Sequence, residues 1–317
     1  MSKPRIVVWG TPQLTVAIAE SLLDWADIVA IITTPDTPQG RKRILTPSPL
    51  KVFGESNSIA VYSPHSLKNP ETSELLRTLS ADIWLIIAYG KIIPQAILDI
   101  MPHRVLNIHP SRLPQYRGPS PIQASLRNGD TSTAVSLMEL DHLMDHGPII
   151  AQEEMSISPT DTYIELEAKV ITVAADILRQ NLIPFMNGEI TPWVQDDTQA
   201  SIVKMVQKID GLIDWESQSA EYIMNAYRAY TIWPQVYTYL NTDKKIVFDR
   251  LDLEHISDIK LKPGYWQLDS SNHTLIIGTK IGNIAVKELT VEGKNTITAD
   301  SFANGYAGVY FVNKKQD

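Results

Sequence analysis

Apolar and polar positions along the first 190 residues follow two interleaved periods. Short β-branched or aliphatic runs at residues 5–9, 28–34, 82–88 and 104–108 predict strands. The run at 82–88 has the continuous apolar character of a strand covered on both faces. The first strand leads into Gly10-Thr11-Pro12, which places Thr11 as a helix N-cap and Pro12 at the first helical position. Leu14, Ala17, Ile18 and Leu22 then recur at helical spacing, as do apolar residues over 71–79 and 95–100. This alternation predicts an α/β fold with a mostly parallel, Rossmann-like sheet and helices on both faces.

Residues 132–140 and 148–155 read as further strands. A long helix pattern follows, capped by Thr160 or Asp161, with Ile164, Ala168, Ile171, Ala175, Leu178 and Leu182 on one face and Pro184 as its end. Residues 190–205 are polar and unpatterned, as in a linker. Beyond them the pattern changes to one helix over 219–230 and short strands at 235–240, 245–251, 274–278 and 283–289, separated by turns of Asn, Asp and Gly. This predicts a small C-terminal β-barrel (OB-like) or sandwich. The expected organisation is a first domain at 1–189, a linker at 190–205 and a second domain at 206–317. No internal repeat or low-complexity tract interrupts it.

Composition narrows the chemistry. The 317 residues include no cysteine, which excludes disulfides, cysteine-ligated zinc, iron–sulfur clusters and a cysteine nucleophile, and fits a reducing cytoplasm. No apolar run approaches the ~18–20 residues of a membrane span. The amino end is too short for the core of a signal peptide. A cytoplasmic protein with no membrane partner is therefore expected. The net charge of −8 argues against non-specific coating of nucleic acid. Its distribution changes that picture. Residues 201–317 hold 13 Lys and Arg against 14 Asp and Glu, net −1, which leaves −7 of the −8 in residues 1–200. The second domain is free to carry a basic face.

Several familiar fingerprints are missing, including GxGxxG, GxxxxGK[ST], HExxH and GxSxG. His142 and His146 have the spacing of two imidazoles on one helix face, but their strand-like flanks and Gly147-Pro148 favour solvated or locally bonded histidines over a metal pair. No metal is expected. Asn107-Ile108-His109 differs, because it ends an apolar strand where open α/β sheets place ligands. In extended chain Asn107 and His109 share one face. One is an amide able to donate to a developing oxyanion, the other an imidazole able to move a proton near neutral pH. Alone, such a pair is more commonly a packed, hydrogen-bonded contact. Asp145, in a turn-like stretch between two strands, is a candidate carboxylate to orient the imidazole. Arg41, Lys42 and Arg43 form the densest basic cluster, inside a proline-rich stretch read as a long exposed loop; it is either simply solvated or phosphate-seeking.

Taken together these residues resemble the 10-formyltetrahydrofolate-dependent formyltransferases, and among them the methionyl-tRNA formyltransferases. The likeness runs nearly end to end. It rests on Gly10-Thr11-Pro12; on Gly40, Arg41, Pro47, Ser48, Pro49 and Lys51; on Ala88-Tyr89-Gly90 followed by Pro94; on Asn107 to Pro114; on Tyr116 to Gln123; on Asp145 to Ile149; and on Lys208, Ile213-Asp214-Trp215 and Trp233-Pro234. Three positions depart from the family pattern: Arg112 stands where leucine is frequent, Thr231-Ile232 replaces Asn-Pro, and Trp9 replaces smaller residues. None removes a catalytic group.

The resemblance implies formyl transfer from 10-formyltetrahydrofolate, as co-substrate, to the α-amino group of initiator methionyl-tRNA, with Asn107, His109 and Asp145 catalytic. It further implies that Ser111, Arg112, Leu113 and Pro114, with Tyr89 and Gly90, line the folate site, and that Arg41, Lys42 and Arg43 meet the tRNA acceptor end. A monomer is expected. The Asn-x-His pattern with a distant Asp belongs to all formyltransferases of this kind, so a sugar-nucleotide N-formyltransferase is the alternative. The Arg41 loop and the Ile213-Asp214-Trp215 domain disfavour it. A folate hydrolase or dehydrogenase domain, normally fused to a further module, is not expected.

Overall fold

The computed structural model describes residues 3–40, 42–252 and 259–313. Its contacts divide the chain into two compact units. One comprises residues 1–121, 132–155 and 167–204, the other residues 122–131, 156–166 and 205–317.

In the first unit the apolar runs become strands as expected: β1 (Arg5–Gly10), β2 (Asp27–Ile32), β3 (Thr37–Gln39), β4 (Ile44–Thr46), β5 (Val61–Tyr62), β6 (Ile83–Ile87), β7 (Val105–His109), β8 (Ser132–Glu139) and β9 (Ile149–Ser156). Seven of them form one sheet in the order β5-β2-β1-β6-β7-β8-β9, parallel from β5 to β7 and antiparallel at β7–β8. Helices α1 (Gln13–Glu20), α2 (Pro49–Ser56), α3 (Pro70–Thr78) and α4 (Gln95–Leu98) lie between these strands; α5 (Pro121–Asn128) falls in the second unit from Ile122 onward, and α6 (Tyr163–Met186) belongs to the first unit from Glu167 onward. The sheet is thus mostly parallel and Rossmann-like. From β1 the chain builds outward through β2 and β5, then returns to the other side of β1 with β6 and β7. That reversal is the switch point where such sheets bind ligands. The core alternates with the pleat: Val7, Trp9, Trp84 and Ile86 sit in one buried cluster with Leu76 and Tyr89.

Several local expectations are corrected. Thr11 does not cap α1: Pro12 holds the cap position, and Thr11 Oγ1 donates instead to the Tyr89 carbonyl at 3.3 Å. The proline-rich stretch is not one open loop. Its middle forms the β3–β4 hairpin, and its end starts α2, capped by Ser48, whose Oγ accepts the Lys51 N–H. Pro49 occupies the first turn of α2, where its missing N–H costs nothing. Pro184 lies inside the last turn of α6 rather than ending it, because a proline removes only its own N–H and the helix stops two residues later.

In the second unit α7 (Ala220–Ala229) is followed by β10 (Tyr237–Leu240), β11 (Lys245–Leu251), β12 (Trp266–Asp269), β13 (Thr274–Gly278), β14 (Asn283–Val291), β15 (Thr296–Thr298), α8 (Ala299–Gly305) and β16 (Phe311–Val312). The strands form an antiparallel sheet, β12-β13-β14-β11-β10-β16, with β15 beside β14. Phe311 N–H donates to the carbonyl of Gly264 at 2.9 Å, just before β12, so the two ends of the sheet approach each other. Trp215, fully buried, fills the interior between Phe248 and Phe311 and donates its indole N–H to Thr238 Oγ1 at 2.9 Å. Among the described residues no helix is long and apolar enough to cross a membrane.

Candidate active site

Strand β7 reads Val-Leu-Asn-Ile-His and is buried at every residue. The strand period puts Asn107 and His109 on one face, at the carboxyl end of the parallel sheet. His109 Nε2 lies 2.9 Å from the Tyr116 carbonyl oxygen. A carbonyl only accepts, so Nε2 carries the hydrogen and Nδ1 is the nitrogen left to take up and release a proton. Nδ1 faces Asp145, 3.7 Å from Oδ1. The other carboxylate oxygen, Oδ2, accepts the Gly118 backbone N–H at 2.8 Å. The His109 and Asp145 side chains are only 5% and 15% exposed, so charge on either is weakly screened. The Asn107 side chain takes no hydrogen bond among the described residues, which leaves both its amide hydrogens available to a ligand.

The loop carrying Asp145 is held in an unusual shape. Asp145 itself has φ +51, a left-handed conformation that costs a non-glycine residue energy. Two residues on, Gly147 passes so close to β8 that a Cβ there would lie 2.1 Å from the Glu139 carbonyl oxygen. Only glycine fits. Gly118 is under the same constraint, with φ +122 and the Val203 carbonyl oxygen 2.2 Å from a would-be Cβ.

A side-chain network braces this loop. Gln195 is buried and donates to the carbonyls of Asp145 (3.0 Å) and Gly147 (2.8 Å). Its oxygen accepts from Nε and Nη2 of Arg117, at 3.1 and 2.8 Å. Arg117 also pairs with Asp197, at 2.8 Å, and its guanidinium holds that carboxyl below the usual carboxylate range. His146 Nδ1 sits 2.6 Å from Asp141 and Nε2 3.4 Å from Asp197. The hydrogen bond to Asp141 raises the His146 pKa, against the opposing effect of partial burial. His146 is therefore locally bonded, and no group of three or more His, Asp or Glu able to hold a metal occurs among the described residues.

Gln195 and Asp197 fall in the unpatterned stretch 190–205, and sequence reasoning assigned them no role. The only signal was polarity next to the apolar pair Trp193-Val194. That stretch is stitched down by main-chain bonds: Ile149 and Trp193 exchange two at 2.9 Å, and Arg117 N–H donates to Ser201 while Val203 N–H donates to Arg117.

The other sequence candidates fall into two groups. Ser111 is wholly buried, its hydroxyl donating to the Gln115 carbonyl at 2.6 Å and its carbonyl accepting from Ser136. Leu113 packs with Met138 and Ile149, and Pro114 follows it through a cis peptide bond. The Arg112 guanidinium is drawn to Glu154 at 2.6 Å and Ser132 at 3.2 Å. The Ser111 hydroxyl hydrogen is thus committed within the protein, while the guanidinium of Arg112 has donors to spare beyond its two contacts. The Tyr89 phenol lies edge-on to Trp9 in the core cluster, and burial pushes its pKa up to about 12. Contact from Tyr89 to a ligand is restricted to its main chain, while Gly90 beside it borders open space. Lys42 and Arg43 are exposed at the turn of the β3–β4 hairpin. Its base is pinned by the Lys51–Asp36 ion pair at 2.9 Å, which raises the Lys51 pKa. Arg41 lies outside the described residues.

Comparison with known proteins bears on this arrangement. Residues 5–182 match the Formyl transferase family model, and residues 205–307 match the model for the formyl transferase C-terminal domain. Methionyl-tRNA formyltransferase of Dehalococcoides mccartyi is 36% identical over 314 residues, covering 99% of this chain and 98% of the relative. That of Myxococcus xanthus is 33% identical over 306 residues, with 96% of each chain covered. That of Chloroflexus aurantiacus is 41% identical over 236 residues, covering 74% of this chain and 76% of the relative. Among solved structures, a sugar 3N-formyl transferase with dTDP and 5-N-formyl-THF superposes with a TM-score of 0.65 at 19% identity, over 93% of this chain and all of that one. HypX from Aquifex aeolicus in complex with tetrahydrofolic acid gives 0.64 at 15% identity, over all of this chain and 49% of that one. These structural likenesses establish a shared fold.

Proposed function

The chain belongs to the formyl transferase family, and from that premise we propose that it transfers the formyl group of 10-formyltetrahydrofolate to the α-amino group of initiator methionyl-tRNA. The observation that carries the chemistry is the meeting of Asn107, His109 and Asp145, 38 positions apart along the chain from Asn107 to Asp145, at the end of β7. The near-full-length likeness to methionyl-tRNA formyltransferases supports the acceptor. We assign the transfer chemistry to residues 1–189 and RNA binding to 206–317; the stretch 190–205 that joins them also bonds to the Asp145 loop through Gln195. The place of work is the cytoplasm.

The reaction requires an unprotonated amine to attack the formyl carbon, giving a tetrahedral oxyanion that collapses with loss of the folate nitrogen. Asn107 donates to the oxyanion from a fixed amide. His109 takes a proton at Nδ1 and passes it toward the leaving nitrogen. Asp145 stabilises the imidazolium formed in between, from a carboxylate already committed by its second oxygen to Gly118. Folate binds along 111–114 and 89–90, chiefly through main-chain groups and apolar surface.

The test is formyl transfer with three sets of substrates: methionyl-tRNA, an amino-sugar nucleotide, and folate alone. Formylation of methionyl-tRNA with little activity on the others is expected. Preference for the amino-sugar nucleotide would establish the alternative acceptor, and formate release without acceptor would overturn both.

A further inference from the structure

We propose that Gln195 is a positioning residue for the transfer reaction, acting through Asp145 and His109; this rests on the catalytic reading above. Two short segments orient those groups. One is Tyr116-Arg117-Gly118, whose first carbonyl fixes the His109 tautomer and whose last N–H holds the Asp145 carboxylate. The other is the Asp145–Gly147 turn, strained at Asp145 and squeezed against Glu139 at Gly147. Gln195 bonds both from a buried position. Its NH₂ donates to the two carbonyls that flank His146, and its oxygen accepts two hydrogens from Arg117. Its amide is therefore used on both sides, with its two hydrogens and its oxygen all engaged.

The chemistry of the residue is specific. The two segments offer carbonyl acceptors on one side and a cationic fork of donors on the other. Only a group that both donates and accepts through one rigid plane joins them, and a primary amide of this length does so. A glutamate keeps the Arg117 contact but turns a carboxylate toward two carbonyls. The outer link, Arg117–Asp197–His146, closes a ring around the same turn but is far more exposed at Asp197, at 63%. Water competes there, so the buried amide is the main brace.

The experiment is a double-mutant cycle on the full chain, with Gln195→Met and Asp145→Asn alone and together, assayed with 10-formyltetrahydrofolate and methionyl-tRNA. Misplacing a catalytic group by about 1 Å costs up to roughly 100-fold, so Gln195→Met is expected to lower kcat roughly 10- to 100-fold. The KM values should stay within about threefold, as for a lost transition-state interaction. In the Asp145→Asn background the same change should cost less than about threefold, because coupled residues do not add. Gln195→Glu should fail to restore activity although it retains the Arg117 contact. Circular dichroism and thermal melting check folding, and Gln195→Glu serves as the second variant if the methionine form does not fold.

Full kcat in a folded Gln195 variant overturns the proposal. So do equal losses in both backgrounds, or full rescue by glutamate. If Asp145→Asn alone is fully active, the catalytic reading fails, an outcome visible in that single variant regardless of Gln195.

Discussion

Asp145 Oδ1 stands 3.7 Å from His109 Nδ1, close enough for charge–charge attraction and too far for a direct hydrogen bond. Nε2 is meanwhile committed to a carbonyl. The imidazole thus gains a proton only at the nitrogen that faces a carboxylate, and losing it again costs no rearrangement of the other side. On the proposed reading, this is the pair that relays the proton.

Removing one oxyanion donor typically costs about 10²–10³ in rate, so Asn107→Ala should lower kcat by at least that factor. His109→Ala and Asp145→Ala should lose at least as much. Each variant should keep its circular dichroism spectrum, since only one small polar cluster is disturbed. Near-normal turnover in any of them removes that residue from its assigned role.

Gly118→Ala should both destabilise the protein and slow it. Strain of this kind costs of order 1–3 kcal/mol per residue, and the added methyl meets the Val203 carbonyl. The displaced N–H is the one that holds Asp145 Oδ2. Chemical denaturation should show the loss of stability, and kcat the loss of rate. An unchanged denaturation midpoint would refute the argument.

The raised pKa of His146 has a definite sign for stability. Its pairing with Asp141 favours the charged imidazole, so the stabilisation is complete below the ordinary imidazole pKa. It disappears as pH rises through the raised folded-state value. In NMR titration the His146 ring signals should move with a midpoint above the ordinary value, and Asp141→Asn should bring it down. The difference in melting temperature between the native protein and His146→Gln should shrink as the pH rises. A difference that grows with pH would contradict this.

Arg41→Ala should raise the KM for methionyl-tRNA, leave the folate KM unchanged and reduce the salt slope of RNA binding by about 1, the signature of one lost phosphate contact. Equal salt slopes for the two proteins would exclude Arg41 from the RNA interface. The expectation comes from the sequence cluster of Arg41, Lys42 and Arg43.

Trp215 anchors the second unit. Truncating a buried tryptophan costs about 3–5 kcal/mol, so Trp215→Ala should strongly lower the stability of residues 205–317, measured by denaturant unfolding followed by near-ultraviolet circular dichroism. Trp215→Phe should cost less, because it keeps the ring contacts with Phe248 and Phe311 and loses only the hydrogen bond to Thr238. Equal stability of Trp215→Ala and the native protein would show that the ring does not carry this core.

Much of the fold is written locally. The runs at 5–9, 82–88 and 104–108 form strands because apolar, β-branched residues in succession have no better fate than a sheet covered on both faces. Strand alternation alone also places Asn107 and His109 on one face. The hairpin β3–β4 and helix α2 were less legible, because four prolines mask the pattern of residues 34–49, and the Ser48 cap is recognised only once Pro49 is seen to open a helix. Strands β12, β15 and β16 and helix α8 are too short to stand out from their turns.

The sequence by itself determined the order of the longer strands and helices, the placing of an amide and an imidazole at the end of β7, and, through motif likeness, the family. Tertiary structure decided what the imidazole can do. The Tyr116 carbonyl and the Asp145 carboxylate meet His109 from 7 and 36 residues away, and the Gly118 N–H holds that carboxylate. Backbone groups carry no side-chain signature, so no spacing rule reveals which carbonyl will choose a tautomer. Gln195 shows the same limit more sharply. In sequence it is one polar residue in an unpatterned stretch, and it acquires meaning only where folding brings two carbonyls and an arginine within reach of one buried amide.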